Sequence, residues 1–328
     1  MLIVKKFGGT SVANTECIYR VANRCLEDYH QGHQIVLVLS AMGKYTDELI
    51  AKAKDVNPNP SKREMDMLLT IGEQMSVSLM AMAFENLGVP AISLNAFQAG
   101  IYTTDNYSNA EILDMTTRRI RSELAQKKIV IVTGFQGIDQ HNNVTTLGRG
   151  GSDTTAVALA GALNADACEI YTDVDGVYTA DPRIVPTAKK FEHISFDMML
   201  ELAASGAGVL HDRCAKLAQE HQIVLVVRSS MSHASGTIIC DKETDSLANA
   251  YGLAIKTAGE TACVSIIGNH ISQQLRLIDK IERLLDTNHI LFQLRYGSAH
   301  KISFTVEEQY GKFVMNKIHD LIYMEKAA

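Results

Sequence analysis

The run Ile35-Val36-Leu37-Val38-Leu39 contains no polar residue. A strand with one wet face alternates apolar and polar side chains, so an unbroken apolar run marks a strand covered on both faces. Further short runs of this kind recur along the first three-quarters of the chain. They predict strands at Leu2–Lys6, Ile35–Ser40, Ala91–Leu94, Ile129–Thr133, Glu169–Thr172 and Ile223–Val227. Doubly covered strands separated by helical patterns define a layered α/β/α domain around an open, mostly parallel sheet.

Between the strands, Met65, Leu68, Met75, Leu79 and Met82 recur at helical spacing. They predict a core-facing helix over 65–86 with Gly88 as its stop, and no cofactor role for its methionines. The polar stretch 139–143 between Gly134–Gly137 and Val144–Leu147 predicts a hairpin. After about residue 240 the pattern changes. A polar stretch, 241–250, precedes a compact β-α-β-β-α unit: strand 262–267, helix 275–287, strand 290–295, strand 301–306 and helix 310–323. This reads as part of a small α+β ferredoxin-like domain that lacks an evident final strand. The division expected is therefore 1–243 and 250–328.

A net charge of −6 without a Lys/Arg cluster argues against nucleic acid as a partner. Six cysteines are scattered without a C-x-x-C pair, and the eleven histidines form no zinc spacing, so buried free thiols and no metal site are expected. No run reaches the roughly 18 apolar residues of a membrane span, and the N-terminus opens directly on a strand, which points to the cytoplasm.

Four junctions fall where strands should end: Lys6-Phe7-Gly8-Gly9-Thr10-Ser11, Ser40-Ala41-Met42-Gly43-Lys44, Thr133-Gly134-Phe135-Gln136-Gly137 and Gly148–Asp153. In open α/β sheets ligands bind at the carboxyl ends of the strands, so these loops are expected to converge. The last one joins a strand to an Ala-rich helix. It presents glycine backbone, Arg149, Ser152 and Asp153 at a helix start that attracts phosphate or carboxylate, although Ser152 or Asp153 as a plain N-cap is the simpler reading. The standard nucleotide signatures are missing: there is no G-x-x-x-x-G-K-[ST], no G-x-G-x-x-G after the first strand, and no H-R-D or D-F-G set.

Longer matches accompany these junctions. Lys6-Phe7-Gly8-Gly9-Thr10-Ser11-Val12, Ser40-Ala41-Met42-Gly43, Gly72-Glu73, Gln98–Ile101, the run Thr145–Thr155 and the block Tyr171–Arg183 together resemble the aspartokinases of the amino acid kinase family, in the same order, over residues 3 to 240. The tail resembles one ACT domain. The resemblance implies transfer of the γ-phosphoryl group of MgATP to the side-chain carboxylate of L-aspartate, the first step of the aspartate-family amino acid pathway, by a homodimer or larger homo-oligomer. It implies that Lys6, with Gly8 and Gly9, stabilises the transferring group and that Asp153 orients Lys6 or the metal. It places Ser152 on phosphate or substrate, Arg149 on the α-carboxylate and Glu73 on the α-ammonium. Ser40 and Thr46 line the aspartate pocket, and Thr172, Asp173, Tyr178 and Arg183 hold the nucleotide. Taken singly, Glu73 also reads as a solvated helix carboxylate, Asp173 as a turn former and Tyr178 as a core residue.

Two departures stand out. Gly208, in Gly206–Asp212, replaces the family's usual nucleotide-contacting lysine, which predicts weaker ATP binding with the chemistry retained. Only one ACT unit is visible, with Gly268–Ser272 unlike the usual loop before its first helix, which argues against feedback by lysine or threonine. The remaining alternatives are an amino acid kinase for another acceptor and a catalytically weakened regulatory paralogue.

Overall fold

The computed structural model describes residues 1–210, 212–241 and 251–323. The polar stretch read at 241–250 lies outside them except for Asp241, as does His211 of the Gly208 loop. The chain forms two compact units, one from residues 1–175 and 217–236, the other from 176–216 and 237–328. Residues 176–216, read from sequence with the first domain, therefore belong to the second compact unit.

The first unit begins β1 (Leu2–Phe7), α1 (Thr15–His30), β2 (Gln34–Leu39), α2 (Tyr45–Val56), α3 (Lys62–Leu69), α4 (Ile71–Asn86) and β3 (Ala91–Leu94). It continues with α5 (Ala96–Ala99), β4 (Ile101–Thr103), β5 (Ile112–Met115), α6 (Arg118–Ala125), β6 (Ile129–Thr133), β7 (Gln136–Ile138), β8 (Val144–Thr146), α7 (Gly151–Leu163) and β9 (Ala167–Thr172). Beyond lie β10 (His193–Ile194), α8 (Phe196–Ala204), α9 (Asp212–Glu220), β11 (Leu225–Ser229) and β12 (Thr237–Ile239). Within the first unit six parallel strands run in the order β11-β9-β1-β2-β6-β3. Ile35–Leu39 and Ile129–Val132 are 0% exposed, as apolar runs without alternation require. The predicted hairpin forms as β7 antiparallel to β8, in a smaller sheet with β4 and β5.

Alternation along β1 separates two adjacent lysines. Lys5 is buried against α1 and β9, its Nζ 2.6 Å from Asp28 Oδ2 and 2.5 Å from Glu169 Oε2. Lys6 takes the other face and reaches α7.

The expected long helix divides at Thr70 into α3 and α4, and its buried side is not the predicted one. Gly72, Glu73, Ser76, Val77, Met80, Ala81, Ala83 and Phe84 face the core, whereas Leu79 and Met82 are exposed and Met65, Leu68 and Met75 only partly buried. Small residues share the inner face with Met80 and Phe84, so Met75 and Met82 fall toward the outer one. By length and composition Lys62–Asn86 is apolar enough to cross a membrane, yet half of its most apolar window is buried within the structure. The thiol expectation is also corrected in part. All six cysteines are free, but only Cys25, Cys168 and Cys214 are buried, while Cys17, Cys240 and Cys263 are partly exposed.

In the second unit β13 (Tyr251–Ala258), β14 (Thr261–Gly268), α10 (Leu275–Thr287), β15 (Gln293–Ser298), β16 (Lys301–Glu307) and α11 (Gly311–Tyr323) form an antiparallel sheet in the order β13-β14-β16-β15. The missing fourth strand is supplied by β13, which precedes the unit in sequence instead of following it. The segment after β9 also builds into this unit. Ala180 and Val185 join its core, Leu253 N–H donates to Thr179 O at 2.7 Å, and Asn316 Nδ2 donates to Ile184 O at 2.8 Å.

Candidate active site

All four strand-end junctions contribute to one cleft of about 380 Å³ in the first unit. Each reaches it for a local reason. Lys6 sits on β1 with its side chain toward α7, where its Nζ lies 2.6 Å from Asp153 Oδ1. The chain then turns at Gly8 and Gly9. A Cβ on Gly9 would lie 2.6 Å from Ala41 O, and Gly43 N–H donates to Gly9 O at 2.9 Å, so Gly9 lets the β1 and β2 loops pack backbone to backbone. Gly8 leaves the backbone beside Lys6 open, a Cβ there standing 3.7 Å from Lys6 Nζ.

The start of α7 differs from the N-cap expectation. Gly150, in the left-handed region at φ 71°, is the capping residue and no side chain caps the helix. Ser152 and Asp153 therefore lie within its first turn, and that turn lines the cleft. Uncapped N–H groups at a helix start carry the positive end of the dipole, a site for anionic oxygen. A Cβ on Gly134 would lie 2.6–3.0 Å from Ser152 atoms, so this glycine lets the end of β6 close against the helix start. Ser40 Oγ donates to Ser152 Oγ at 3.0 Å. Arg149 is exposed between the cleft-lining Gly148 and Gly150.

Across the cleft, Glu73 is 3% exposed in the first turn of α4. Its Oε1 accepts from Ala41 N–H at 3.1 Å, whereas Oε2 has no hydrogen-bond partner among the described residues. Burial raises this carboxyl to about 7, against the lowering effect of backbone N–H groups. A buried acceptor without a donor is costly, and a ligand ammonium would satisfy it. Thr46, in the first turn of α2, lines the same cleft.

The four residues assigned to the nucleotide are not in this lining. Thr172 ends β9 and Asp173 follows it; Thr172 Oγ1 donates to Asp173 Oδ1 at 3.0 Å and receives Val174 N–H at 3.2 Å. Tyr178 and Arg183 lie in the second unit. Tyr178 pairs as a bridge with Lys190, and the exposed Arg183 guanidinium is clasped by Asp181 at 2.8 Å. The sequence reading did not single out that clasp, a local contact between residues two apart, or the buried Asp66, whose bonds to Ser108 and Thr146 are long-range and leave no spacing signal.

A parallel sheet whose strand ends bring a lysine, an uncapped helix start and a buried unpaired carboxylate to one cleft, with no P-loop, is the architecture of a small-molecule phosphotransferase. Residues 1–229 match the amino acid kinase family. The aspartokinase of Bacillus sp. (strain MGA3) is 57% identical over 298 residues, 91% of this chain and 72% of that protein. Aspartokinase 2 of Bacillus subtilis (strain 168) is 52% identical over 312 residues, 94% and 76% of the two chains. The structure of E. coli aspartokinase III in complex with aspartate and ADP shares the fold, with a TM-score of 0.83 at 24% identity over 98% of this chain and 99% of that one. The chain belongs to the amino acid kinase family and, within it, to the aspartokinases.

Proposed function

We propose that the chain transfers the γ-phosphoryl group of MgATP to the side-chain carboxylate of L-aspartate, giving 4-phospho-L-aspartate. The observation that carries this reading is the unpartnered Glu73 Oε2, buried on the cleft wall beside the Arg149 loop. A carboxylate and a guanidinium on one cleft suit the ammonium and α-carboxylate of an amino acid. Ser40 and Thr46 complete the wall on the acceptor side.

The acceptor carboxylate is ionised at neutral pH and needs no general base. Its oxygen forms the new bond to the γ-phosphorus as the bond to the ADP oxygen breaks, and no proton moves. Lys6 neutralises charge on the transferring group, Gly8 leaves the backbone beside it open, Gly9 lets the β1 and β2 loops pack together there, and Asp153 holds the Lys6 ammonium in place. Ser152, linked to Ser40, sits where the two substrates meet. Among the described residues no group of three His, Cys, Asp or Glu could hold a metal by itself. A Mg²⁺ ion carried on the nucleotide phosphates, with Asp153 beside it, would supply charge neutralisation. Thr172, Asp173, Tyr178 and Arg183 are assigned to the nucleotide, Arg183 exchanging Asp181 for phosphate. The ACT-like tail is assigned to homo-oligomerisation, and the cytoplasm to the whole chain.

The test is Arg149→Lys. Losing the bidentate fork should raise the aspartate KM about tenfold or more and leave the ATP KM unchanged. Equal effects on both substrates would remove Arg149 from the acceptor subsite. The second reading, a weakened regulatory paralogue, is favoured only by Gly208.

A further inference from the structure

Asp66 is fully buried on α3 and does not line the cleft. Its carboxylate accepts four hydrogen bonds: Ser108 N–H at 2.9 Å, Ser108 Oγ–H at 3.1 Å, Thr146 N–H at 2.8 Å and Thr146 Oγ1–H at 2.9 Å. These saturate the acceptor capacity of one carboxylate.

The four bonds join three segments that carry the acceptor subsite. Through Thr70, α3 leads into α4, whose first turn holds Glu73. Thr146 ends β8 and is followed by Leu147, Gly148 and Arg149. Ser108 backs the same loop. Gly148 lies in the left-handed region at φ +75°, and a Cβ on it would stand 3.1 Å from Ser108 O and 3.2 Å from Asn109 Oδ1. Ala110 N–H donates to Thr146 O at 2.9 Å, and Gln136 Nε2 donates to Thr70 O at 3.2 Å, tying the helix junction to β7.

We infer that Asp66 is a positioning residue that fixes the Glu73 helix against the Arg149 loop through its four bonds to Ser108 and Thr146. It thereby sets the spacing of the two groups that grip the ammonium and α-carboxylate of the acceptor amino acid, without touching substrate. The inference rests on the functional reading above. An amide at this position can keep its oxygen on the Ser108 and Thr146 N–H groups only by turning its NH₂ toward the two hydroxyls, which must then reverse from donors to acceptors, and it loses the charge that strengthens all four bonds.

Steady-state kinetics with aspartate and ATP varied separately, together with thermal unfolding, test this in wild type, Asp66→Asn, Thr146→Val and Thr146→Ser. Asp66→Asn should raise the aspartate KM about tenfold or more while the ATP KM stays within about twofold. Thr146→Val, which loses the hydroxyl bond but keeps the shape, should raise it by about threefold, and Thr146→Ser, which keeps the hydroxyl, should match wild type. If Asp66→Asn does not fold, the Val/Ser pair at 146 makes the same comparison. A lowered melting temperature with both KM values unchanged, or with both raised equally, would make Asp66 a purely structural carboxylate and overturn the inference. A wild type without aspartate-dependent turnover would instead defeat the functional reading. Amide hydrogen exchange over 146–151 then decides about Asp66: faster exchange in Thr146→Val than in Thr146→Ser supports the clamp, and equal exchange overturns it.

Discussion

Burial raises the Glu73 carboxyl from its ordinary 4.5 to about 7, because the ionised form is held out of water with one oxygen unpartnered. The folded protein holds this proton more tightly than the unfolded chain, so the associated stability is present below 4.5 and is lost as pH rises through about 7. Aspartate binding runs the other way, since the substrate ammonium needs the ionised carboxylate. The aspartate KM is therefore expected to fall as pH rises from about 6 to 8. In Glu73→Gln the KM should be higher and flat across that range. A wild-type pH profile without this slope would contradict the assignment. The residue was legible in sequence only as Gly72-Glu73, where a solvated helix carboxylate reads equally well. What decides between the two readings is burial, and that depends on Ala41 and on the β2 loop packing against Gly9.

The helices show where periodicity is informative and where it misleads. Strands β2 and β6 follow from unbroken apolar runs because both faces are covered. The α3–α4 segment was also visible, but its face was not. Its core side is lined by Gly72, Ser76, Ala81 and Ala83 as well as Met80 and Phe84, and hydropathy weights small and polar residues as surface. Met80→Ala is expected to cost about 2–5 kcal/mol in urea unfolding, because it opens a cavity in the core. Leu79→Gln and Met82→Gln, on the exposed side, should each stay within about 0.5 kcal/mol. Comparable losses at 79 and 80 would contradict the observed face. The β-sheet of the second unit gives the complementary case. Its fourth strand was missed because β13 comes before the unit in sequence, where a reading that looks for a closing strand after α11 does not search.

At the scale of the whole molecule, the strand-end convergence that forms the cleft was legible from the Gly-rich junctions alone, since an open parallel sheet sends such loops to one edge. The compact units were not, because the segment 176–190 follows β9 in sequence yet shares a core with the antiparallel sheet of the second unit. Gly208 belongs to this second unit and has ordinary backbone geometry, with nothing among the described residues within 4 Å of a Cβ placed on it. Gly208→Lys therefore fits sterically and should lower the ATP KM about tenfold by adding one charge-assisted contact, with kcat little changed. An unchanged ATP KM would remove this position from the nucleotide's surroundings. The acceptor defines the reaction. Acyl phosphate trapped with hydroxylamine, measured with MgATP plus aspartate, glutamate or no acceptor, tests it most directly. Hydroxamate that forms with aspartate, and not with glutamate or without acceptor, is the predicted result. Hydroxamate with glutamate in preference, or none with aspartate, would contradict the account.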